Sequence, residues 1–272
     1  MSIITLTTDF GLKDHFVGAL KGKILKQVPQ TQIIDISHHI DLFNISEASY
    51  VIKSSYDSFQ KGTVHLIGVD CERTENTKHI IVHWKDHYFV CADNGIMSLV
   101  CQNDTPEAIY EVTESNLLNS LSDLELLINT ASRISRGEDL SSIGRPINSL
   151  KPQNELQAVI EPDSIKGNVI YIDQCGNCVT NITREVFHRI GKQRNFEIRF
   201  GTKSIKKIHK SYSDFSVRDG YTLKEYEGEK LALFNEAGHL EIAIYKSNPN
   251  TTGTAKTLLG LKYRDVVSII FK

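Results

Sequence analysis

The sequence predicts an α/β N-terminal domain with a mostly parallel sheet, residues 1–145, followed by a small C-terminal β-barrel domain, residues 155–272. Three observations carry this expectation. In the first half, short β-branched runs alternate with stretches of helical periodicity, the pattern of strands joined by helices. Near residue 145 the character changes, because residues 145–155 hold Pro146 and Pro152 with few apolar side chains and read as a linker. Beyond that stretch short strands dominate, in a length suited to a small barrel and too short for a large sandwich.

Element by element, residues 3–7 form a β-branched run that ends in Thr8-Asp9-Phe10-Gly11. Phe16, Val17, Leu20, Ile24, Leu25 and Val28 then recur at helical spacing until Pro29 stops the helix. Residues 32–36 read as a second strand ending at Ser37-His38-His39, and residues 45–59 as a helix with Ile45, Ala48, Val51 and Ile52 on one face. Residues 63–69 are a third strand that delivers Asp70. A hairpin is expected over residues 79–90 with Lys85-Asp86 near its turn, its His79, His83 and His87 mostly on the surface. Asp93-Asn94-Gly95 is a turn triplet, and a last helix runs over residues 121–136 to Gly137. In the second half, strands are expected at 167–173, 196–200, 230–234, 240–245 and 266–271, and one helix at 184–190.

Composition narrows the function classes. The 272 residues carry 31 Lys+Arg against 33 Asp+Glu, a formal net charge of −2, which argues against a nucleic-acid binder. Lys203, Lys206, Lys207 and Lys210 form a small basic cluster that reads as a solvated face. No apolar run approaches the ~20 residues needed to span a bilayer, and the N-terminus lacks the basic region and cleavage site of a signal peptide. Five scattered cysteines fit a reduced, cytoplasmic protein. Cys175 and Cys178 form a single CxxC with no second pair to complete a zinc site, so no metal is expected.

In an open α/β sheet, ligands bind beyond the carboxyl ends of the strands. Three of the expected strands end there in ionisable residues: Asp9, His38-His39 and Asp70. An Asp after a strand often caps the next helix, but three such sites on one sheet edge favour a binding function. In the second half, Asp173-Gln174-Cys175-Gly176-Asn177-Cys178-Val179-Thr180-Asn181 concentrates hydrogen-bonding groups on a tight backbone, suited to a polar small molecule. The alternative is a β-turn whose Asn side chains satisfy their own backbone.

These pieces, in order, resemble the S-adenosylmethionine (SAM) hydroxide adenosyltransferase family, whose superfamily includes fluorinases and chlorinases acting on SAM. The resemblance runs through Thr5-Leu6-Thr7-Thr8-Asp9-Phe10-Gly11, Asp14, Val17-Gly18, Lys21-Gly22, Asp35-Ile36-Ser37-His38, Gly62-Thr63-Val64, Val69-Asp70 and Asp93-Asn94-Gly95. It continues through Tyr171-Ile172-Asp173, Gly176-Asn177, Thr180-Asn181-Ile182 and Gly238-His239-Leu240-Glu241-Ile242-Ala243, and so spans nearly the whole chain.

The resemblance implies an α/β domain plus a small β barrel, a homotrimer, and SAM bound between the N-terminal domain of one subunit and the C-terminal domain of its neighbour. By position, Asp9 would hold the ribose hydroxyls, and Phe43 falls where halogenases carry an aromatic that packs on the substrate. Asp173 and Asn177 would bind the ends of the methionine part, and the backbone around residues 253–255, including Ala255, would approach the adenine. Family hydrolases displace methionine from the ribose 5′ carbon with water, using an Asp ending the third strand, an Arg a few residues later, and a His opening the last helix of the domain. Asp70 matches the first. The Arg position falls on Thr77 or Lys78, and the His is replaced by Ser122. Asp123 or Glu72 could serve as a substitute base, and Arg73 could stand in for the missing Arg.

The expected function is therefore a SAM hydrolase with Asp70, Lys78, Ser122 and Asp123 as catalytic residues and Asp9, Phe43, Asp173, Asn177 and Ala255 as binding residues. SAM is the substrate and no further cofactor is expected. The alternatives are a SAM- or adenosine-binding module of the same fold without turnover, and an enzyme with a different nucleophile or substrate.

Overall fold

The computed structural model describes residues 2–102, 104–113, 121–154 and 156–272. The chain divides into two compact units, residues 1–155 and 156–272. The expected start of the second domain, Glu155, lies outside the described residues.

Unit 1 runs β1 (Ile3–Thr8), α1 (Phe16–Gln27), β2 (Gln32–Ser37), α2 (Ile45–Lys53), β3 (Val64–Gly68), β4 (His79–Trp84), β5 (His87–Ala92), α3 (Ile96–Cys101), β6 (Ala108–Val112), α4 (Asp123–Ser135), α5 (Leu140–Ile143) and β7 (Gly144–Pro146). Its seven strands form one sheet in the order β2-β1-β3-β5-β4-β6-β7. The sheet is mixed rather than mostly parallel. The β2-β1-β3-β5 half is parallel, whereas β5-β4-β6-β7 is antiparallel. The change follows from the hairpin, since a tight turn at Lys85-Asp86, both at positive φ, can join only antiparallel neighbours.

Strand alternation sends side chains to two separate cores. Ile4, Leu6 and Leu66 pack with Leu20 and Ile24 of α1 and Leu127 and Ala131 of α4. Ile67, Ile80 and Phe89 face the other way, against Ala48 and Ile52 of α2 and Ile96 and Met97 of α3. The sheet is thus covered on both faces, and its central strands read as continuous apolar runs. Truncating one of these side chains, such as Leu66→Ala, removes about 2–5 kcal/mol of stability. His79 and His87 are buried, contrary to the surface expected for the hairpin histidines, because helices cover this part of the sheet. Arg145 and Pro146, expected in the linker, pair with β6 instead, together with Gly144. Gly144 permits this because a side chain there would meet the Glu111 carbonyl at 2.5 Å.

Unit 2 runs β8 (Val159–Glu161), β9 (Ser164–Ile172), β10 (Cys178–Thr183), α6 (Arg184–Gly191), β11 (Phe196–Phe200), β12 (Lys203–Ile205), β13 (Ile208–His209), β14 (Lys230–Phe234), β15 (His239–Ile244), α7 (Ala255–Leu258) and β16 (Val266–Phe271). Nine strands form one sheet, β12-β11-β16-β9-β10-β15-β14-β13, with β8 added beside β9. The two end strands, β12 and β13, are consecutive in the chain and separated only by Lys206 and Lys207. So short a link forces the sheet to curl into a nearly closed, barrel-like form. Its interior holds Ile165, Val169, Ile198, Ile242, Val267 and Ile269. Among the described residues, no helix is long and apolar enough to cross a membrane.

Candidate functional site

In unit 1 the candidate residues gather at the carboxyl ends of β1 and β3. β1 is buried almost throughout and delivers the Thr8-Asp9-Phe10-Gly11 loop. His38, at the end of β2, fixes that loop twice: its Nδ1 hydrogen-bonds Thr8 Oγ1 at 2.8 Å, and its carbonyl accepts the Gly11 amide at 2.7 Å. Gly11 has φ +67°, a conformation glycine adopts without strain. Asp9 is largely buried, and its Oδ2 accepts the Phe43 amide at 3.0 Å. Phe43 itself sits at φ 61°, a left-handed conformation that is unfavourable for an aromatic residue. The bond to Asp9 holds it there, with the residue 69% exposed. Asp9 and Phe43 are therefore brought together, flanked by the exposed side chains of Leu12 and Leu42.

Asp70 follows the fully buried β3 and is exposed, with φ 45°. Its backbone is pinned by Asn94, whose Nδ2 donates to the carbonyls of Val69 at 3.1 Å and Asp70 at 2.9 Å. The same Asn94 accepts the Ile96 amide at 3.1 Å, and Asp93 accepts the Lys151 amide at 2.9 Å. The Asp93-Asn94-Gly95 triplet is thus a turn that also supports the Asp70 backbone. Gly95 is required there, since its φ is +99° and a side chain would meet Gln153 at 2.7 Å.

Cys71 marks where the acidic groups converge. Burial pushes its thiol up to about 11, and Asp9, Asp123 and Asp70 lie near enough to add to the push. Asp123 opens α4 and accepts Arg73 Nε at 2.5 Å, while Arg73 Nη2 donates to the Leu121 carbonyl at 2.8 Å. Ser122 caps α4 in a reciprocal box with Glu125, so its hydroxyl is engaged by the Glu125 amide at 3.3 Å. Lys78 is exposed and turns to its own loop, donating to the Thr74 carbonyl at 3.1 Å. Asp123 is thereby paired with Arg73, three residues beyond Asp70, while Ser122 and Lys78 make local bonds.

In unit 2, β9 passes to β10 through a turn closed by Asp173 and Asn177. Asp173 Oδ1 accepts the Asn177 amide at 2.8 Å and its Oδ2 accepts Asn177 Nδ2 at 2.9 Å. Gly176 has φ +74°, and a side chain there would collide with Thr254 Oγ1. Thr254 caps α7, and the Lys256 amide donates to the Gly176 carbonyl at 3.1 Å. Ala255, fully buried, is thereby held against the same turn. Cys178 packs into the barrel core, where burial pushes its thiol up to about 12.

Sequence reasoning gave no role to two residues beside this turn. Glu241 of β15 is only 3% exposed. Its Oε1 accepts the Tyr212 hydroxyl at 2.5 Å and its Oε2 accepts Asn235 Nδ2 at 3.4 Å. Burial pushes its carboxyl up, and Asp173 adds to the shift. Burial and the bond to Glu241 push the Tyr212 phenol up as well. The available signal was a carboxylate within the apolar run Leu240-Glu241-Ile242-Ala243-Ile244.

Comparison with known proteins covers both units. Residues 4–144 match the model of the SAM hydroxide adenosyltransferase N-terminal domain and residues 167–268 that of the C-terminal domain. The chain is 30% identical to the (R)-S-adenosyl-L-methionine hydrolase of Methanocaldococcus jannaschii, covering 100% of this chain and 97% of that protein. It is 20% identical to the fluorinase of Actinopolyspora mzabensis, over 89% of this chain and 90% of that one. Among solved structures, an uncharacterized conserved protein from Thermotoga maritima superposes with a TM-score of 0.84 at 28% identity, covering 98% of this chain and 99% of that one.

Proposed function

The chain belongs to the SAM hydroxide adenosyltransferase family, and we propose that it hydrolyses S-adenosylmethionine to adenosine and methionine. The observation that carries this reading is the placement of Asp9 and Asp70 just beyond the carboxyl ends of the neighbouring strands β1 and β3, at the sheet edge where an α/β domain binds its ligand. Anionic groups suit a substrate that carries a sulfonium cation. In the reaction, a bond forms between the water oxygen and the ribose 5′ carbon as the carbon–sulfur bond breaks. The electron pair goes to sulfur, which becomes a neutral thioether, and the water proton passes through a carboxylate to solvent. The sulfonium is already a good leaving group, so the protein's task is to orient and deprotonate water.

Within this proposal Asp70 is the carboxylate that orients the water. Asp9 accepts the ribose hydroxyls, for which an ionised carboxylate has capacity beyond the Phe43 amide, and Phe43 offers its exposed ring to the substrate. Asp173 and Asn177 take the methionine end and the Ala255 backbone the adenine. Asp123 completes the acidic set, Ser122 fixes the start of α4, and Lys78 supplies charge at the rim. The substrate needs no further cofactor. The domains are proposed at 1–145 and 155–272, in a cytoplasmic homotrimer whose sites each use two subunits. The exposed apolar side chains beside Asp9 support such an assembly.

One observation favours a second reading, a nucleoside-binding module without turnover. The family's Arg and His positions hold Thr77 or Lys78 and Ser122, and these make local bonds. Incubating the purified protein with SAM and assaying adenosine and methionine separates the two. Release of both products that is abolished in Asp70→Ala supports the hydrolase. Tight calorimetric binding of SAM or adenosine with no product supports the module, and neither binding nor turnover rejects both.

A further inference from the structure

Asp35 lies within β2 and His38 just past its end, three residues on. In a regular strand that spacing sends side chains to opposite faces. Here the pairing of β2 with β1 steps from Leu6–Asp35 to Thr7–Ser37, so β2 takes up one extra residue, Ile36. Such an irregularity re-aims the side chains beside it. Asp35 Oδ1 comes within 3.2 Å of His38 Nε2, and among the described residues no hydrogen-bond partner competes for that nitrogen. The other oxygen, Oδ2, accepts Lys21 Nζ of α1 at 2.6 Å.

The far side of the ring meets β1. His38 Nδ1 lies 2.8 Å from Thr8 Oγ1, and both residues are buried. This order of carboxylate, imidazole and hydroxyl fixes the direction of each bond. A proton on Nε2 faces the carboxylate, whereas the other tautomer would turn a nitrogen lone pair toward it. With Nε2 protonated, Nδ1 is an acceptor and the Thr8 hydroxyl donates to it. The Thr8 oxygen then offers a lone pair to the Phe10 amide at 3.4 Å. Fully buried, that hydroxyl is out of reach of a substrate and acts as a strut. Asp9 stands between the two residues so joined. Its Oδ2 takes the Phe43 amide, while its Oδ1 accepts no hydrogen bond from the described residues.

Resting on the reading of Asp9 as the acceptor of the ribose hydroxyls, we propose that Asp35 is a positioning residue for the nucleoside. Through the His38 tautomer it sets the direction of the Thr8 hydrogen bond, and with it the aim of the Asp9 carboxylate. Lys21 steadies Asp35 from α1. The Lys21–Asp35 pair is itself partly exposed, and such pairs add little to stability, so its consequence lies in recognition.

The test is calorimetric affinity for adenosine and for 2′,3′-dideoxyadenosine in wild type, Asp35→Leu, Asp35→Asn, Thr8→Val and Thr8→Ser. A nitrogen NMR spectrum of the His38 ring accompanies wild type and Asp35→Leu. Asp35→Leu and Thr8→Val each weaken adenosine by about tenfold or more, the loss of one hydrogen bond to a charged group, and dideoxyadenosine by less than about twofold. Asp35→Asn and Thr8→Ser, which keep an acceptor and a hydroxyl, stay within about threefold of wild type for both nucleosides. The ring proton sits on Nε2 in wild type and leaves it, in whole or in part, in Asp35→Leu. A merely structural role would weaken the two nucleosides equally. That result, an adenosine affinity unchanged in Asp35→Leu, or a wild-type ring protonated on Nδ1 alone overturns the proposal. If Thr8→Val does not fold, the two Asp35 variants and the wild-type ring spectrum decide the matter. A wild-type protein that binds neither nucleoside, or both equally, overturns the ribose reading of Asp9 first, and this inference with it.

Discussion

Asp70 and Asp173 both follow apolar strands, β3 and β9, yet their side chains stand in different circumstances. Asp173 has both carboxylate oxygens engaged by Asn177, within a turn whose glycine is packed on Thr254. Asp70 has its backbone carbonyl pinned by Asn94, while its carboxylate accepts no hydrogen bond from the described residues. A buried polar set that satisfies itself is built for rigidity. A carboxylate on a fixed backbone with an open side chain is available for chemistry. The unit 1 residue should therefore affect rate, and the unit 2 residue should affect rigidity and binding.

The largest expected effect follows directly. Asp70→Ala lowers SAM turnover by about 10²–10⁴-fold, the range for losing a proton-transfer group, while its unfolding free energy stays within about 0.5 kcal/mol of wild type. Urea unfolding run beside the adenosine assay checks both halves. A comparable loss of stability would erase the contrast with Asp173.

The complementary variant is Asp173→Ala. It leaves the Asn177 amide and Nδ2 without their acceptor, in a side chain only 5% exposed. Unsatisfied buried donors cost about 1–3 kcal/mol each, so losing the acceptor of both shifts unfolding of unit 2 by about 2–6 kcal/mol. SAM affinity falls as well, because the turn holding Ala255 loosens. Unchanged stability would mean that Asp173 is a ligand group alone.

Much of this contrast was legible in the sequence, and the reasons differ by region. β1 and β3 announce themselves as β-branched runs ending in Asp, because strands buried on both faces must be apolar throughout. α3 was not legible: Ile96–Cys101 is almost wholly buried, and a six-residue run with five apolar residues has no amphipathic period to read. β10 was hidden for the opposite reason, its Thr180, Asn181 and Thr183 looking like loop. The Arg73–Asp123 pair had no local signal at all, since only the placement of α4 beside the segment after β3 brings the two together. Of the carboxylates that act on Cys71, Asp70 is its neighbour in the chain, whereas Asp9 and Asp123 are brought near it only by the fold.

A pH-dependent difference should separate the units further. His65 is buried in unit 1, bonded to Thr5 Oγ1 at 2.8 Å and to His87 Nδ1 at 3.1 Å, and stacked on Phe89. Burial, aided by His87, lowers its pKa to about 3. The unfolded chain then binds a proton near pH 6.5 that the folded chain refuses. Stability from this group is full above pH 6.5 and falls as pH drops toward 3. Between pH 7 and pH 5 the loss is about 2 kcal/mol. Urea midpoints at the two pH values measure it, and His65→Phe flattens the slope. An equal slope in that variant would assign the acid sensitivity to other groups.

The smallest effect tests whether unit 2 holds a second functional carboxylate. The Glu241 carboxyl is pushed up by burial, so the folded chain favours its protonated form. The unfolded chain ionises freely above about pH 4.5, and the folded chain loses stability relative to it as pH rises further. Glu241→Gln removes that penalty and keeps an acceptor for Tyr212, at the loss of the long 3.4 Å contact with Asn235. The variant should match wild type below pH 4.5 and exceed it by about 0.5–1 kcal/mol at pH 7. Thermal unfolding across that range reads the difference, and calorimetry with SAM reads the binding. Gain in stability with unchanged affinity leaves Glu241 as a support of the Asp173 turn. Loss of affinity with the same gain would make it, like Asp70, a carboxylate held ready for the ligand at a cost to the fold.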